Sequence, residues 1–188
     1  ISGVQEKLSA ILDNGQIVLA SEGMQGRYII KPIPDFKRLK YRQFMPANEH
    51  LTMQIARQVY NINTAENALI FFNDEEPAYI TKRFDVKEDG SKIQQEDFAS
   101  LLGKTTHLNG SSFKYTGDYL DVKKVFSTYV AAWRIEISKF FKLVVFNYIF
   151  ANGDAHLKNF SLQQVGNGDY ILSPAYDLIN SSLHVEDE

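Results

Sequence analysis

The run from Glu136 to Ala151 constrains this chain more than any other. Glu-Ile-Ser-Lys-Phe-Phe-Lys-Leu-Val-Val-Phe-Asn-Tyr-Ile-Phe-Ala is apolar on nearly every face. In a water-soluble fold such a helix has to be buried by neighbours, so the run predicts the central helix of a core. Its most apolar part, Phe140 to Ala151, is interrupted by Lys142 and Asn147. It falls short of the roughly 20 apolar residues that span a bilayer, and no signal peptide precedes it, so no membrane association is expected.

The helix ends at Asn152-Gly153 and delivers the loop Asp154-Ala155-His156-Leu157-Lys158-Asn159-Phe160; Ser173-Pro174-Ala175-Tyr176-Asp177-Leu178 follows downstream. An Asp, four residues, an Asn, and then a second Asp beyond an apolar stretch is the layout in which kinases place a catalytic carboxylate and two magnesium-holding groups. Phosphoryl transfer needs a carboxylate beside the acceptor hydroxyl and oxygen ligands for hard Mg²⁺ ions on the phosphates. Asp154, Asn159 and Asp177 supply them if they converge. Taken singly, each is equally served by an Asn-Gly turn and a polar surface loop.

Composition narrows the remaining classes. The 188 residues fit one large domain or two small lobes, and 44% hydrophobic with 13% aromatic residues indicates a globular chain. A formal net charge of −3 gives no global basic field for nucleic acid. The absence of cysteine excludes disulfides, thiol nucleophiles and thiolate metal sites, and is compatible with a reducing compartment. The chain starts at Ile1 without Met and ends in an acidic tail, which suggests a fragment.

Asp13-Asn14-Gly15 between Leu8–Leu12 and Gln16–Ala20 predicts an opening β-hairpin. Gly26 to Lys31 reads as a β-branched strand stopped by Pro32, with Lys31 either reaching phosphates or lying at a solvated strand end. The basic, aromatic stretch Phe36 to Pro46 reads as an exposed loop. Asn48-Glu49 opens a helix to about Tyr60 with Leu51, Ile55 and Val59 as its buried stripe; Glu49 serves the helix dipole or pairs with Lys31. Ala68–Phe72 and Ala78–Arg83 form a second hairpin. A polar stretch, Val86 to Ser91, then marks a lobe boundary, dividing the chain into 1–84, β-rich, and 85–188, mainly helical. Beyond it, Glu96 to Leu102 reads as a short helix, His107 to Thr116 as a polar loop, and Asp118 to about Arg134 as an amphipathic helix. Phe160–Leu162 and Tyr170–Leu172 read as short strands that bring Asp177 back beside the loop.

Taken in order, Ser2-Gly3-Val4-Gln5-Glu6-Lys7, Tyr28-Ile29-Ile30-Lys31-Pro32, Asn48-Glu49, Arg83-Phe84-Asp85, Gln95-Glu96-Asp97, the Gly153–Phe160 loop and Pro174–Leu178 resemble the HipA-like serine/threonine kinases of bacterial toxin–antitoxin systems. The resemblance implies an α+β, two-lobed, protein-kinase-like fold. It implies that Asp154 is the catalytic base, that Asn159 and Asp177 hold Mg²⁺, and that Lys31, fixed by Glu49, contacts the ATP phosphates. It implies a phosphate-covering loop from Ser2 to Lys7, with Gly3, Gln5 and Lys7, and an adenine-binding connector at Thr81, Lys82 and Phe84. Ser2 is the serine in the place where the family autophosphorylates. A cytoplasmic location, a HipB-like antitoxin, operator DNA reached only through it, and a protein substrate such as an aminoacyl-tRNA synthetase follow in the same way.

Two departures stand out. His156 takes the place of the lysine that ordinary protein kinases carry two residues after the base, a pattern shared with small-molecule phosphotransferases, so the loop does not choose the acceptor. The longer HipA-type toxins also carry sequence before and after this region, so a kinase-core fragment or one part of a split toxin is expected. The rival readings are a small-molecule phosphotransferase and a pseudokinase that serves as a binding module.

Overall fold

A computed structural model of the chain describes residues 5–185. The opening hairpin forms as the sequence predicts, from β1 (Leu8–Asp13) and β2 (Gln16–Leu19). Asn14 and Gly15 both have positive φ, at 46° and 81°, the combination that suits a tight two-residue connection to the twist of its strands. β3 (Tyr28–Lys31), β4 (Asn67–Phe71) and β5 (Pro77–Lys82) complete a five-stranded antiparallel sheet in the order β2-β1-β3-β5-β4. Alternation along the strands sorts the side chains. Ile30 and Ile80 join Ala10 and Ala78 in one small core, while Lys31 and its cross-strand partner Tyr79 take the other face.

Helix α1 (Met45–Gln58) starts with Pro46 in its first turn, where a missing N–H costs nothing, and the chain leaves it through Asn61 at φ 49°. Its buried face is not the expected one. Leu51 and Val59 are 60% and 72% exposed, and the residues turned inward are Met45, Glu49, Thr52, Met53 and Ala56. The apolar stripe misled because the inward face serves a polar purpose: it carries Glu49 to Lys31.

Past the connector, Gln95–Asp97 is a strand, β6, and not the first turn of a helix. It pairs with β7 (Ser161–Gln164), which pairs in turn with β8 (Tyr170–Leu172). Only Phe98–Leu101 is helical (α2), capped by the Asp97 carboxylate, which accepts from the Ser100 N–H at 2.9 Å. Within the expected polar loop lie a single helical turn, α3 (Thr106–Asn109), and a 3-10 turn at Phe113–Tyr115. The amphipathic helix α4 (Tyr119–Tyr129) begins where Asp118 accepts from the Leu120 and Asp121 N–H groups, but stops short of Arg134 because Val130 is extended.

Helix α5 (Trp133–Ile149) holds the centre through Phe140, Leu143 and Phe146. Phe98 packs against Phe126, Phe140 and Phe160 at centroid distances of 5.5 to 6.0 Å. At the other end Tyr60 meets Phe146 and Phe150 edge-on at 5.3 and 5.6 Å, so the helix that follows β3 and the helix that precedes Asp154 share one core. Burial all round is corrected: Phe141 and Tyr148 are 68% and 87% exposed, and among the described residues α5 has neighbours on one side only.

The inward face of α1 gives a direct test. Met53→Ala removes a fully buried side chain and is expected to lower stability by about 2–5 kcal/mol. Leu51→Ala, two residues away on the exposed side, should stay within about 0.5 kcal/mol. Urea unfolding of the two variants measures both, and equal losses would restore the Leu51 stripe.

Candidate active site

Three segments far apart in sequence meet at one ammonium group. Lys31 Nζ donates to Glu49 Oε1 at 2.6 Å and also to the Asp177 carboxylate. Lys31 and Glu49 are both 4% exposed, and Nζ lies 5.3 Å from the centroid of the Tyr79 ring. Lys7 Nζ approaches Asp177 Oδ2 to 3.9 Å from the solvent side. The solvated-strand-end alternative for Lys31 is thereby removed.

The charges in the cluster are uneven. Burial alone would lower the lysine, but attraction to Glu49 and Asp177 outweighs it and raises Lys31 above its ordinary value. Burial raises Glu49, with Lys31 opposing. Burial also works to raise Asp177, yet the Lys31 and Lys7 ammonium groups bring it below the usual carboxylate range. Asp177 additionally sits at φ 56°, a left-handed conformation uncommon for any residue with a Cβ and concentrated at sites where the surroundings enforce it.

The Asp154 loop lies alongside. Ala151, at φ 49°, turns the chain out of α5, and Leu157–Asn159 forms a 3-10 turn. Asn159 Oδ1 accepts the His156 N–H at 3.0 Å, while its Nδ2 donates to Asp177 Oδ2 at 3.4 Å. Ser181 Oγ accepts the Gly153 N–H at 2.8 Å and donates to the Ala151 carbonyl at 3.0 Å. Asn152 Nδ2 donates to Asn147 Oδ1 at 2.9 Å and to the Asp177 carbonyl at 3.3 Å. His156 is buried, and burial together with the Lys114 ammonium lowers it, leaving a neutral ring beside the loop. Asp154 Oδ1 accepts a hydrogen bond from the Tyr115 hydroxyl at 2.8 Å.

Lys7, Lys31, Thr81, Lys82, Phe84 and Asp177 line a cleft of about 660 Å³, within the size range of small-molecule and cofactor sites. At its back the Phe84 carbonyl accepts from Gln163 Nε2 at 2.8 Å, and the Arg83 guanidinium grips Asp85 through two hydrogen bonds of 3.0 and 2.5 Å. Gln5 Nε2 donates to the Pro32 carbonyl at 3.1 Å, which holds the entering segment against the end of β3. Gly3 and Ser2 lie outside the described residues. Sequence reasoning missed Ser181, Gln163 and Tyr115; a lone serine, glutamine or tyrosine in a loop carries no local signal of the partner it reaches.

The donor set suits a hard cation. Asp177 offers carboxylate oxygen and Asn159 an amide, and Mg²⁺ characteristically takes one or two protein ligands and completes its octahedron with phosphate and water. In the arrangement described, Asn159 turns its amide nitrogen to Asp177 and the Lys31 ammonium neutralises that carboxylate.

An antiparallel sheet carrying a buried lysine, a packed helix glutamate paired with it, and an Asp-x₄-Asn loop facing a second aspartate define the protein-kinase-like class of fold. The chain belongs to the HipA-like C-terminal domain family, whose model matches residues 1–188. A Haemophilus influenzae protein named as a candidate kinase is 28% identical over 99% of this chain and 54% of its own length. A candidate kinase of Sinorhizobium fredii is 29% identical over 100% of the chain and 46% of its own length. The chain therefore spans about half the length of these relatives. Among solved structures, Shewanella oneidensis HipA, determined with HipB and operator DNA, matches 95% of this chain and 43% of its own with a TM-score of 0.74 at 22% identity. The Helicobacter pylori proinflammatory kinase CtkA matches 92% of this chain and 54% of its own with a TM-score of 0.63 at 18% identity.

Removing one member of the charge cluster should expose its cost. Lys31→Met leaves two carboxylates facing each other and is expected to destabilise the domain at pH 7 by about 3–5 kcal/mol, whereas Lys31→Met with Glu49→Leu should recover much of that loss. The sign with pH is fixed by Asp177. Because its folded value is lowered, its pairing contributes stability that is present above the unfolded value of about 3.9 and is lost as pH falls through the lower folded one. Urea titrations of the three proteins between acid and neutral pH should show that acid-side loss shrinking in Lys31→Met. An undiminished loss would mean that Lys31 does not hold Asp177.

Proposed function

We propose that the domain is an ATP- and Mg²⁺-dependent protein kinase acting on serine or threonine, with its lobes divided near residues 84 and 85. The observation that carries this reading is the convergence of Lys31 and Asp177 in one cleft, with Glu49 buried behind the lysine and the Asp154–Asn159 loop alongside. Mg-ATP would supply the γ-phosphoryl group for the acceptor oxygen, with ADP as leaving group, and a cation to neutralise the phosphate charge. Asp154 accepts the proton of the acceptor hydroxyl and Asn159 and Asp177 hold the metal. Lys31, kept in place by Glu49, directs its charge to the phosphates, with Lys7, Gln5 and Gly3 covering them. The connector at Thr81, Lys82 and Phe84 walls the adenine end, where Gln163 holds the Phe84 carbonyl.

The crystallised association of the Shewanella relative with HipB and operator DNA supports a HipB-like antitoxin partner here, with DNA met through it. The net charge of −3 is consistent with that division of labour. A protein substrate of the aminoacyl-tRNA synthetase class and autophosphorylation at Ser2 complete the proposal. A cytoplasmic site of action belongs with it; among the described residues no helix is long and apolar enough to cross a membrane.

Incubation with ATP and Mg²⁺, followed by intact and peptide mass spectrometry, tests the reading. Asp154→Asn should bind nucleotide as the parent does and lose transfer by roughly 10²- to 10⁴-fold, the usual weight of a positioned base. Equal transfer by the variant would remove Asp154 from that role, and phosphate found only on an added sugar or aminoglycoside would select the small-molecule reading.

A further inference from the structure

A hydroxyl of the protein itself reaches the proposed base. Tyr115 Oη donates to Asp154 Oδ1 at 2.8 Å, and its ring meets the His156 ring edge-on, with centroids 5.2 Å apart and planes at 78°. A general base must lie within hydrogen-bond reach of the proton it takes, roughly 2.6–3.2 Å. The phenol therefore stands where an acceptor hydroxyl would have to stand to use that oxygen. We propose that Tyr115 holds the acceptor's place on Asp154, so that the 113–115 turn plugs the acceptor subsite and must be displaced before phosphoryl transfer. This inference rests on the kinase reading above.

The segment is built to be held and to move. Gly110 and Gly117, at φ 74° and 138°, bracket it, and a change of direction at such positions costs less than at residues with a Cβ. Lys104 Nζ donates to the Thr116 carbonyl at 2.6 Å and pairs with Asp121 at 3.7 Å, tethering the chain just after Tyr115 so that the 113–115 turn moves about that point. Lys114 Nζ sits 4.9 Å from the centre of that ring, and Lys158, within the Asp154 loop, lies 5.9 Å from the Phe113 ring while pairing with Asp97 at 3.1 Å. Tyr115 is 53% exposed, so about half of its surface already faces solvent. A cavity of about 390 Å³ beside it, bordered by Tyr115, Asn152, His156 and Leu157, offers the ring room. Burial and the neighbouring Asp154 push the phenol up to about 12, so it stays protonated and remains a donor through the neutral range.

A plug and a supporting residue predict opposite results when the hydroxyl is removed. Tyr115→Phe keeps the ring contact with His156 and deletes only the bond to Asp154. ATP hydrolysis with water as acceptor, and transfer to a serine-containing peptide library, are measured for the parent and Tyr115→Phe, with nucleotide affinity determined by calorimetry. A plug predicts a turnover increase of about tenfold, the weight of one hydrogen bond to a charged group, with a lower acceptor KM and unchanged nucleotide affinity. Unchanged or reduced turnover in a variant whose parent turns over ATP overturns the plug and leaves the kinase reading standing. Phosphate on Tyr115 itself in the parent would make it an acceptor and equally overturn the plug. Absence of turnover in both proteins despite ATP binding overturns the kinase reading and this inference together. Should Tyr115→Phe lower the unfolding midpoint, Tyr115→Leu, which keeps an apolar side chain at the same exposed position, replaces it with the same expectations.

Discussion

The shared ammonium of Lys31 is the contact on which the rest of the site depends. Taking a lysine and a glutamate to 4% exposure removes two charges from water, a step that costs several kcal/mol per ion and that pairing at best offsets. Stability by itself gives no reason for the arrangement, since apolar residues of similar size commonly serve as well or better. What the cluster accomplishes is positional. It fixes the end of β3, the first turns of α1 and the strained backbone at Asp177 relative to one atom. Other odd features of the fold follow from that requirement, including the polar inward face of α1 and the left-handed φ of Asp177.

A second polar network keeps α1 and the segment beyond Asp177 in register. Asn48 Nδ2 donates to the Asn180 carbonyl at 2.9 Å and meets His184 Nε2 at 2.8 Å, while Asn48 Oδ1 accepts from Thr52 and from the Asn180 N–H. Since the amide nitrogen can only donate, His184 Nε2 accepts, and Nδ1 carries the proton it gives to the Lys40 carbonyl at 2.9 Å. One residue upstream of Glu49 and a few downstream of Asp177 are thus tied to each other independently of Lys31. The two carboxylates cannot drift apart without breaking both sets of bonds, which gives the geometry a rigidity no single ion pair supplies.

What the sequence made legible, and what it hid, divides along the range of the interactions. The Asn14-Gly15 hairpin and the strand ending at Lys31 depend on a few consecutive residues, and their signals were local. The meeting of Asn159 with Asp177, beside Asp154 in the same loop, was legible because the spacing Asp-x₄-Asn and a later Asp returned by two short strands is itself a pattern. The stripe of α1 was misread because hydrophobic periodicity assumes that a buried face is apolar, and here Glu49 and Asn48 face inward for the sake of partners 18 to 136 residues away, with Thr52 bonded to Asn48 one turn back. β6 was hidden because Gln95-Glu96-Asp97 has no strand character of its own and is ordered by pairing with Ser161–Gln163. The outward apolar residues of α5 show the same limit from the other side: composition told how apolar the helix is, not which side has neighbours.

The clamps on the Asp154 loop and the contact with Tyr115 act on different parts of Asp154. Ser181, Asn152 and Asn159 hold the backbone from Ala151 to His156 and tie it to the Asp177 segment, so they set where the carboxylate is presented. Tyr115 hydrogen-bonds the carboxylate oxygen and touches the loop through side chains, its ring against His156, from a turn tethered at Thr116 by Lys104. A protein that must keep its base in place and yet control access to it needs these two functions on separate elements, because a turn that also supported the loop could not leave without disordering it. The geometry meets that condition. The scaffold of the site is built from residues that follow α5 and from β3 and α1, and the group on the Asp154 carboxylate comes from a glycine-bracketed turn that contributes nothing to the Lys31 cluster.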